Sequence, residues 1–156
     1  MVTVPRSGGC GHHGVYFVGV RISGVAPLLA VRDVERSVAF YRRFGFEPAV
    51  QWGTYARLVA DGGAVLHVAA PGEPPPDRPT VALAVPAPDA DAVTGLVVIQ
   101  VPDCRRACAD LVASGVEPLT APATPGWGGE VRAFVRDPDG HLVELNEQLS
   151  EPATTP

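Results

Sequence analysis

Shifted by seventy residues, the chain overlays on itself. Val31 falls on Val101, Asp33 on Asp103, Arg36 on Arg106, Ala39 on Ala109, Gly45 on Gly115, Glu47 on Glu117 and Pro48 on Pro118. Seven identities at one offset are hard to obtain by chance. They include residue types that start and stop helices, an aspartate as N-cap and a glycine as C-cap. The chain therefore contains two copies of one unit. A single copy offers a one-sided sheet with too little core, so the two copies are expected to pair.

Each copy reads as β-α-β-β-β. In the first, Leu28 to Val31 is a short buried strand and Asp33 caps a helix from about Val34 to Arg43. Val34, Val38 and Tyr41 recur at helical spacing in it, joined by Phe40 and Phe44. Strands are expected over Phe46–Gln51, Thr54–Ala60 and Ala64–Ala69, the last two flanking the hairpin turn Asp61-Gly62-Gly63. In the second copy, Leu96–Val101 is a strand, Asp103 caps a helix over Cys104–Ala113, and a weaker strand passes through Leu119. Ala121 to Gly129 reads as a loop carrying Trp127. Glu130–Arg136 is a strand, followed by Asp137-Pro138-Asp139-Gly140, in which proline presets φ and glycine accepts a positive φ. The closing strand then alternates, with Val143 and Leu145 on one face and Leu142, Glu144 and Asn146 on the other. Residues 24–148 thus read as one domain, with modules at about 24–70 and 95–148. Residues 71–94 form a proline-rich linker with a short edge strand over Thr80–Val85. Residues 1–23 read as a flexible extension and 149–156 as a loose tail.

Composition removes several classes of function. The net charge of 156 residues is −5, and every basic side chain is arginine, with no lysine and no basic run. Nucleic acid is therefore not an expected partner. No apolar run is long enough to span a membrane, and no signal peptide is evident, so the expected location is cytoplasmic. Three cysteines make no disulfide framework. There is no Gly-x-Ser-x-Gly elbow, phosphate loop or dinucleotide fingerprint. Cys10, His12 and His13 are metal-ligand types close together, but a glycine-rich tail does not preorganise a site. Cys104 and Cys108 share a helix face and read as small packing residues.

The run Val31-Arg32-Asp33-Val34-Glu35-Arg36-Ser37-Val38-Ala39-Phe40-Tyr41, the pair Gly45-Phe46, and Asp137-Pro138-Asp139-Gly140-His141-Leu142-Val143-Glu144-Leu145 resemble the vicinal oxygen chelate superfamily. That superfamily takes in glyoxalase I, bleomycin-resistance proteins, fosfomycin-resistance enzymes and extradiol dioxygenases. The resemblance covers about residues 25–148. It implies an α+β fold in which two βαβββ modules pair into a curved mixed sheet with a central cup, helices on the outside. It also suggests a homodimer, with exchange of modules between chains left open. In metal-using members the ligands come from the first and last strands of each module. The last-strand positions here are His67 and Glu144. The first-strand positions are Ala26 and Leu96, where such members carry His, Gln or Glu. This chain departs from the pattern at both.

Two functional readings follow. In one, the protein binds a small molecule without catalysis, as bleomycin-resistance proteins do, with His67, Glu144, Trp52, Trp127 and Arg132 as contacts and no cofactor. The ligand would be aromatic or cationic. In the other, a divalent metal (Zn, Ni, Mn or Fe) held by His67 and Glu144 supports lyase, isomerase or dioxygenase chemistry, and a third ligand has still to be found. The plainer alternatives are a solvent-facing His67, an exposed strand carboxylate at Glu144, tryptophans that anchor loops, arginines Arg132 and Arg136 in surface charge pairs, and a solvated His141.

Overall fold

The computed structural model describes residues 23–72, 82–87, 89 and 91–149. The elements run β1 (Leu28–Ala30), α1 (Val34–Tyr41), β2 (Glu47–Trp52), β3 (Tyr55–Val59), β4 (Val65–Ala69), β5 (Leu96–Gln100), α2 (Cys104–Ala113), β6 (Pro118–Ala123), β7 (Glu130–Arg136) and β8 (Leu142–Gln148). The architecture is α+β with two βαβββ modules. Their strands form two four-stranded sheets, ordered β1-β4-β3-β2 and β5-β8-β7-β6. Each sheet is mixed, because β1–β4 and β5–β8 are parallel and the other pairs antiparallel. Each module contributes one four-stranded sheet to the expected pair, and no ladder among the described residues joins β1 to β5. The two edges line one cavity of about 250 Å³ together with His141 and Leu142.

Local chemistry accounts for the element ends. Asp33 Oδ1 accepts from the backbone N–H of Arg36 at 3.0 Å, and Asp103 Oδ1 from that of Arg106 at 2.8 Å. These are side-chain N-caps of the expected kind. A second carboxylate, Glu147, accepts from the backbone N–H of Cys104 at 2.9 Å, placing another anion at the start of α2. Helix α1 stops at Tyr41 and tightens into a 3-10 turn, Arg42–Phe44, closed by Gly45 at φ 83°. Strand β6 extends through Ala121–Ala123, where the sequence suggests a loop. It tolerates Pro122 because it is an edge strand with an irregular ladder. The described part of the expected edge strand in the linker, Ala82–Val85, carries no strand, while Thr80 and Val81 lie outside the described residues. Cys10, His12 and His13 also lie outside them.

One core serves both modules. Val34, Val38, Phe40 and Tyr41 of α1 bury against Ala56, Leu58, Leu66 and Val68. Cys104, Cys108 and Leu111 of α2 bury against Val131, Ala133, Val135, Val143 and Leu145, and all belong to a single cluster. A polar joint reinforces it. Asp139, fully buried, accepts from the backbone N–H of Arg32 (3.1 Å), from the guanidinium groups of Arg32 and Arg36 (3.1 Å each) and from Ser37 Oγ (3.3 Å). Tyr41 Oη donates to Asp137 at 3.0 Å. The two sequence motifs, one in each module, are thus in direct contact. His141 belongs to the same joint, with Nε2 2.7 Å from the carbonyl of Ala30. It is not the solvated side chain that its place beside a turn suggests.

Candidate functional site

Because side chains alternate along a strand, each sheet has one face on the core and one face away from it. On the first sheet the core face carries Ala56, Leu58, Leu66 and Val68. The open face carries Tyr55, Arg57, Val59, Val65, His67 and Ala69, all half-buried. On the second, the open face carries Glu130, Arg132, Phe134, Arg136, Leu142, Glu144 and Asn146. Every described candidate contact residue lies on one of these open faces or at its edge.

The candidates divide into two clusters. On the first sheet, Tyr55 Oη lies 2.7 Å from His67 Nδ1, and Trp52 stacks on Tyr55 with centroids 5.3 Å apart. Arg57 stands directly across the ladder from His67 and Val50. Its guanidinium forms no ion pair or hydrogen bond among the described residues. Trp52 is 66% exposed, a broad apolar plate open to solvent.

On the second sheet the charges are closed on themselves. Arg132 donates from Nε to Glu144 Oε1 at 2.8 Å and from Nη2 to Oε2 at 3.0 Å, a bidentate pair. Its guanidinium lies 4.9 Å from the Phe134 ring centroid and 5.6 Å from that of Trp127, within the range of cation–π attraction. Asn146 donates to Glu144 at 2.9 Å and to Glu130 at 2.6 Å, and Trp127 Nε1 donates to Glu130 at 3.1 Å. Gln148 bonds both Asn146 and Glu130. The hydrogen bond from Asn146 leads the causes that hold the Glu130 carboxyl below its usual range, with Trp127, Arg132 and Gln148 adding to it. Glu144 is only 5% exposed, and its carboxylate is fully partnered. This is how a carboxylate is tolerated there, since an unpaired buried charge costs several kcal/mol.

These contacts bear on metal binding. Among the described residues no three His, Cys, Asp or Glu side chains converge to hold an ion. His67 and Glu144 sit on different sheets, and no hydrogen bond joins them. Leu28 is in register with His67, and Val98 with Glu144, so the first strands present only carbon there. Both oxygens of Glu144 already face Arg132. The donor set of the described chain does not fit a divalent metal. Two cavities of about 600 and 590 Å³ lie away from these clusters: one against Phe40, Arg43 and Pro138, the other against Phe44, Leu66 and Val98. On the open face of the second sheet, Arg132, Phe134, Thr120 and Pro125 line a hollow of about 190 Å³.

Sequence reasoning misses Tyr55, Arg57, Glu130, Phe134, Asn146 and Gln148 as members of these clusters. A signal for two of them was present. Closing a hairpin at Asp61-Gly62-Gly63 sets Tyr55 and Arg57 beside His67, because period-two alternation puts all three on one face. Trp127 and Glu130 meet only because a loop folds over β7, and local pattern does not predict that.

Two paired βαβββ modules with polar side chains on the open faces define a class of small α+β proteins. The model of the glyoxalase/bleomycin resistance protein/dioxygenase superfamily matches residues 21–145, and the chain belongs to that family. Among solved structures, it is similar to a bleomycin resistance determinant encoded on the transposon Tn5 (TM-score 0.60, 22% identity, covering 83% of this chain and 100% of that one). It is also similar to a glyoxalase/bleomycin resistance protein/dioxygenase from Nocardioides (TM-score 0.65, 20% identity, 89% and 92% covered). A third is a lactoylglutathione lyase from Agrobacterium tumefaciens (TM-score 0.64, 20% identity, 81% and 95% covered). Identities this low carry the fold alone. No curated protein matches the chain by sequence. None of the described helices is long and apolar enough to cross a membrane.

Proposed function

We propose that this protein is a cytoplasmic, non-catalytic member of its family that binds a planar small molecule against the open faces of its sheets. The observation that carries the reading is the bidentate closure of Glu144 by Arg132, which occupies the carboxylate that a metal would need. Trp52 and Trp127, 66% and 74% exposed, supply stacking surface on either sheet. Leu28, Val50, Leu96 and Val98 add exposed apolar area on the same faces. A second copy laid over them would bury that area and enclose the ligand, so the assembly in this reading is a homodimer with the cup between sheets. A solved bleomycin-binding protein in complex with bleomycin shares the fold at a TM-score of 0.60 and 22% identity, which makes ligand capture a use the fold admits.

The metal-dependent reading, a lyase, isomerase or dioxygenase, keeps one supporting observation. Tyr55 engages His67 Nδ1, and a hydrogen bond of this kind at one ring nitrogen orients a histidine whose other nitrogen, Nε2, binds metal. The deciding experiment is metal content and small-aromatic binding of untagged protein, with and without chelator, for wild type, His67→Ala and Glu144→Ala. The binder reading expects substoichiometric metal and chelator-insensitive affinity. One metal per chain, lost in both variants, would replace it with the enzyme reading.

A further inference from the structure

We propose that the first sheet's cluster is an anion subsite, and that the ligand it takes is an aromatic carboxylate. This rests on the small-molecule reading above and adds the charge of the ligand. Charge accounting on the two open faces carries it. Glu144 and Arg132 neutralise each other, and Glu130 is held by Asn146, Trp127 and Gln148. Arg136 donates to the carbonyl of Gly140. Glu47 pairs with Arg42. Arg57 is left as a half-buried cation with no counter-charge among the described residues, in a chain whose net charge is −5.

Its neighbours complete a recognition pattern. Arg57 and His67 are direct cross-strand partners on one face, a placement that brings side chains into mutual reach. When Tyr55 donates its hydroxyl hydrogen to His67 Nδ1, the imidazole proton sits on Nε2, which has no partner among the described residues. Guanidinium and Nε2–H then offer convergent donors to a carboxylate, and a planar guanidinium fork suits a two-oxygen acceptor. Beside them the Trp52 ring, backed by Tyr55 at 30° to it, offers a flat surface for an aromatic ring carrying that carboxylate. In that tautomer Nε2 carries the proton and has no lone pair for a metal. The ion would need the other tautomer and would sit next to an unneutralised guanidinium, where like charges repel.

The test is calorimetric titration of the full chain with three probes of one shape: naphthoate, naphthalenemethanol and naphthylmethylammonium. Naphthoate is expected to bind about tenfold tighter than the neutral alcohol, the size of one charge-assisted contact. That preference is expected to collapse in Arg57→Gln and to persist in Arg43→Gln on the helical side. Arg57 makes no polar contact among the described residues, so its variant is expected to retain the folded state, which circular dichroism checks. Equal binding of all three probes, or preference for the ammonium probe, overturns the anion assignment and leaves the small-molecule reading standing. Preference for naphthoate that survives Arg57→Gln also overturns it. Binding of none of the three removes both.

Discussion

The two sheets place the same kind of contact at the same position and finish it differently. In each, a residue on the third strand of the module reaches diagonally to the polar residue of the last strand, twelve positions along the chain. Tyr55 meets His67 in the first module, and Arg132 meets Glu144 in the second. The residue directly opposite that polar group is Arg57 in one and Phe134 in the other. The second sheet is therefore a closed ion pair flanked by aromatic rings. The first is a tyrosine–histidine hydrogen bond beside an arginine with no counter-charge among the described residues. An arginine alone does not mark a site for an anion; what counts is whether the fold supplies its counter-charge.

The largest expected effect disconnects the two halves being compared. Asp139→Ala leaves Ser37, the Arg32 amide and two guanidinium groups without their acceptor, and should cost on the order of 3 kcal/mol. Urea unfolding would show it as a lowered midpoint. A single undiminished transition would mean that the shared apolar core alone joins the modules.

Next comes the closed pair. Arg132→Met strands a buried Glu144 and should destabilise by about 2–3 kcal/mol, while adding Glu144→Leu should restore most of the loss. Additive behaviour of the two substitutions in denaturant titrations would break the comparison at its centre.

An alkaline titration probes the joint again. Burial, reinforced by Asp137, pushes the Tyr41 hydroxyl far above its ordinary range. The folded state therefore keeps a proton that the unfolded chain releases above pH ~10. Stability is full below that value and falls as pH rises beyond it, with a slope approaching ~1.4 kcal/mol per pH unit. No lysine contributes to this slope. The Cys104 thiol, also pushed up by burial, adds in the same direction. Tyr41→Phe should flatten the fall, and an unchanged slope would show that Tyr41 ionises as freely as in the unfolded chain.

The smallest effect belongs to the open pair. Tyr55→Phe removes one hydrogen bond at a half-buried site and should cost about 0.5–1 kcal/mol by thermal denaturation. A loss as large as that of Arg132→Met would mean that the two diagonal contacts are equivalent after all.

Much of the fold was legible beforehand because its signals are local. Asp33 and Asp103 cap helices through their own side chains, and Gly45 and Gly115 take positive φ where the helical segments end. Glu130–Arg136 follows from alternation, and so does the split of Val143 and Leu145 from Glu144. What failed was non-local or compensated. Pro122 reads as a breaker until its strand is seen to lie at a sheet edge. His141 reads as solvated until Ala30, far away in sequence, offers it a carbonyl.

By itself the sequence determined that the protein is a repeat of two βαβββ units, where each helix begins, and which strand positions share a face with His67 and with Glu144. Those properties depend on dihedral preference and on periods of 3.6 and 2, both of which act over a few residues. Only the tertiary structure decided that the Asp-Pro-Asp-Gly turn of one module clasps the helix of the other. The same holds for the neutralisation of Glu144 by Arg132 and for the absence, among the described residues, of a counter-charge at Arg57. Pairing between charges depends on which strands become neighbours and in what register. That choice is made by the burial of a common core, and no short stretch of residues records it.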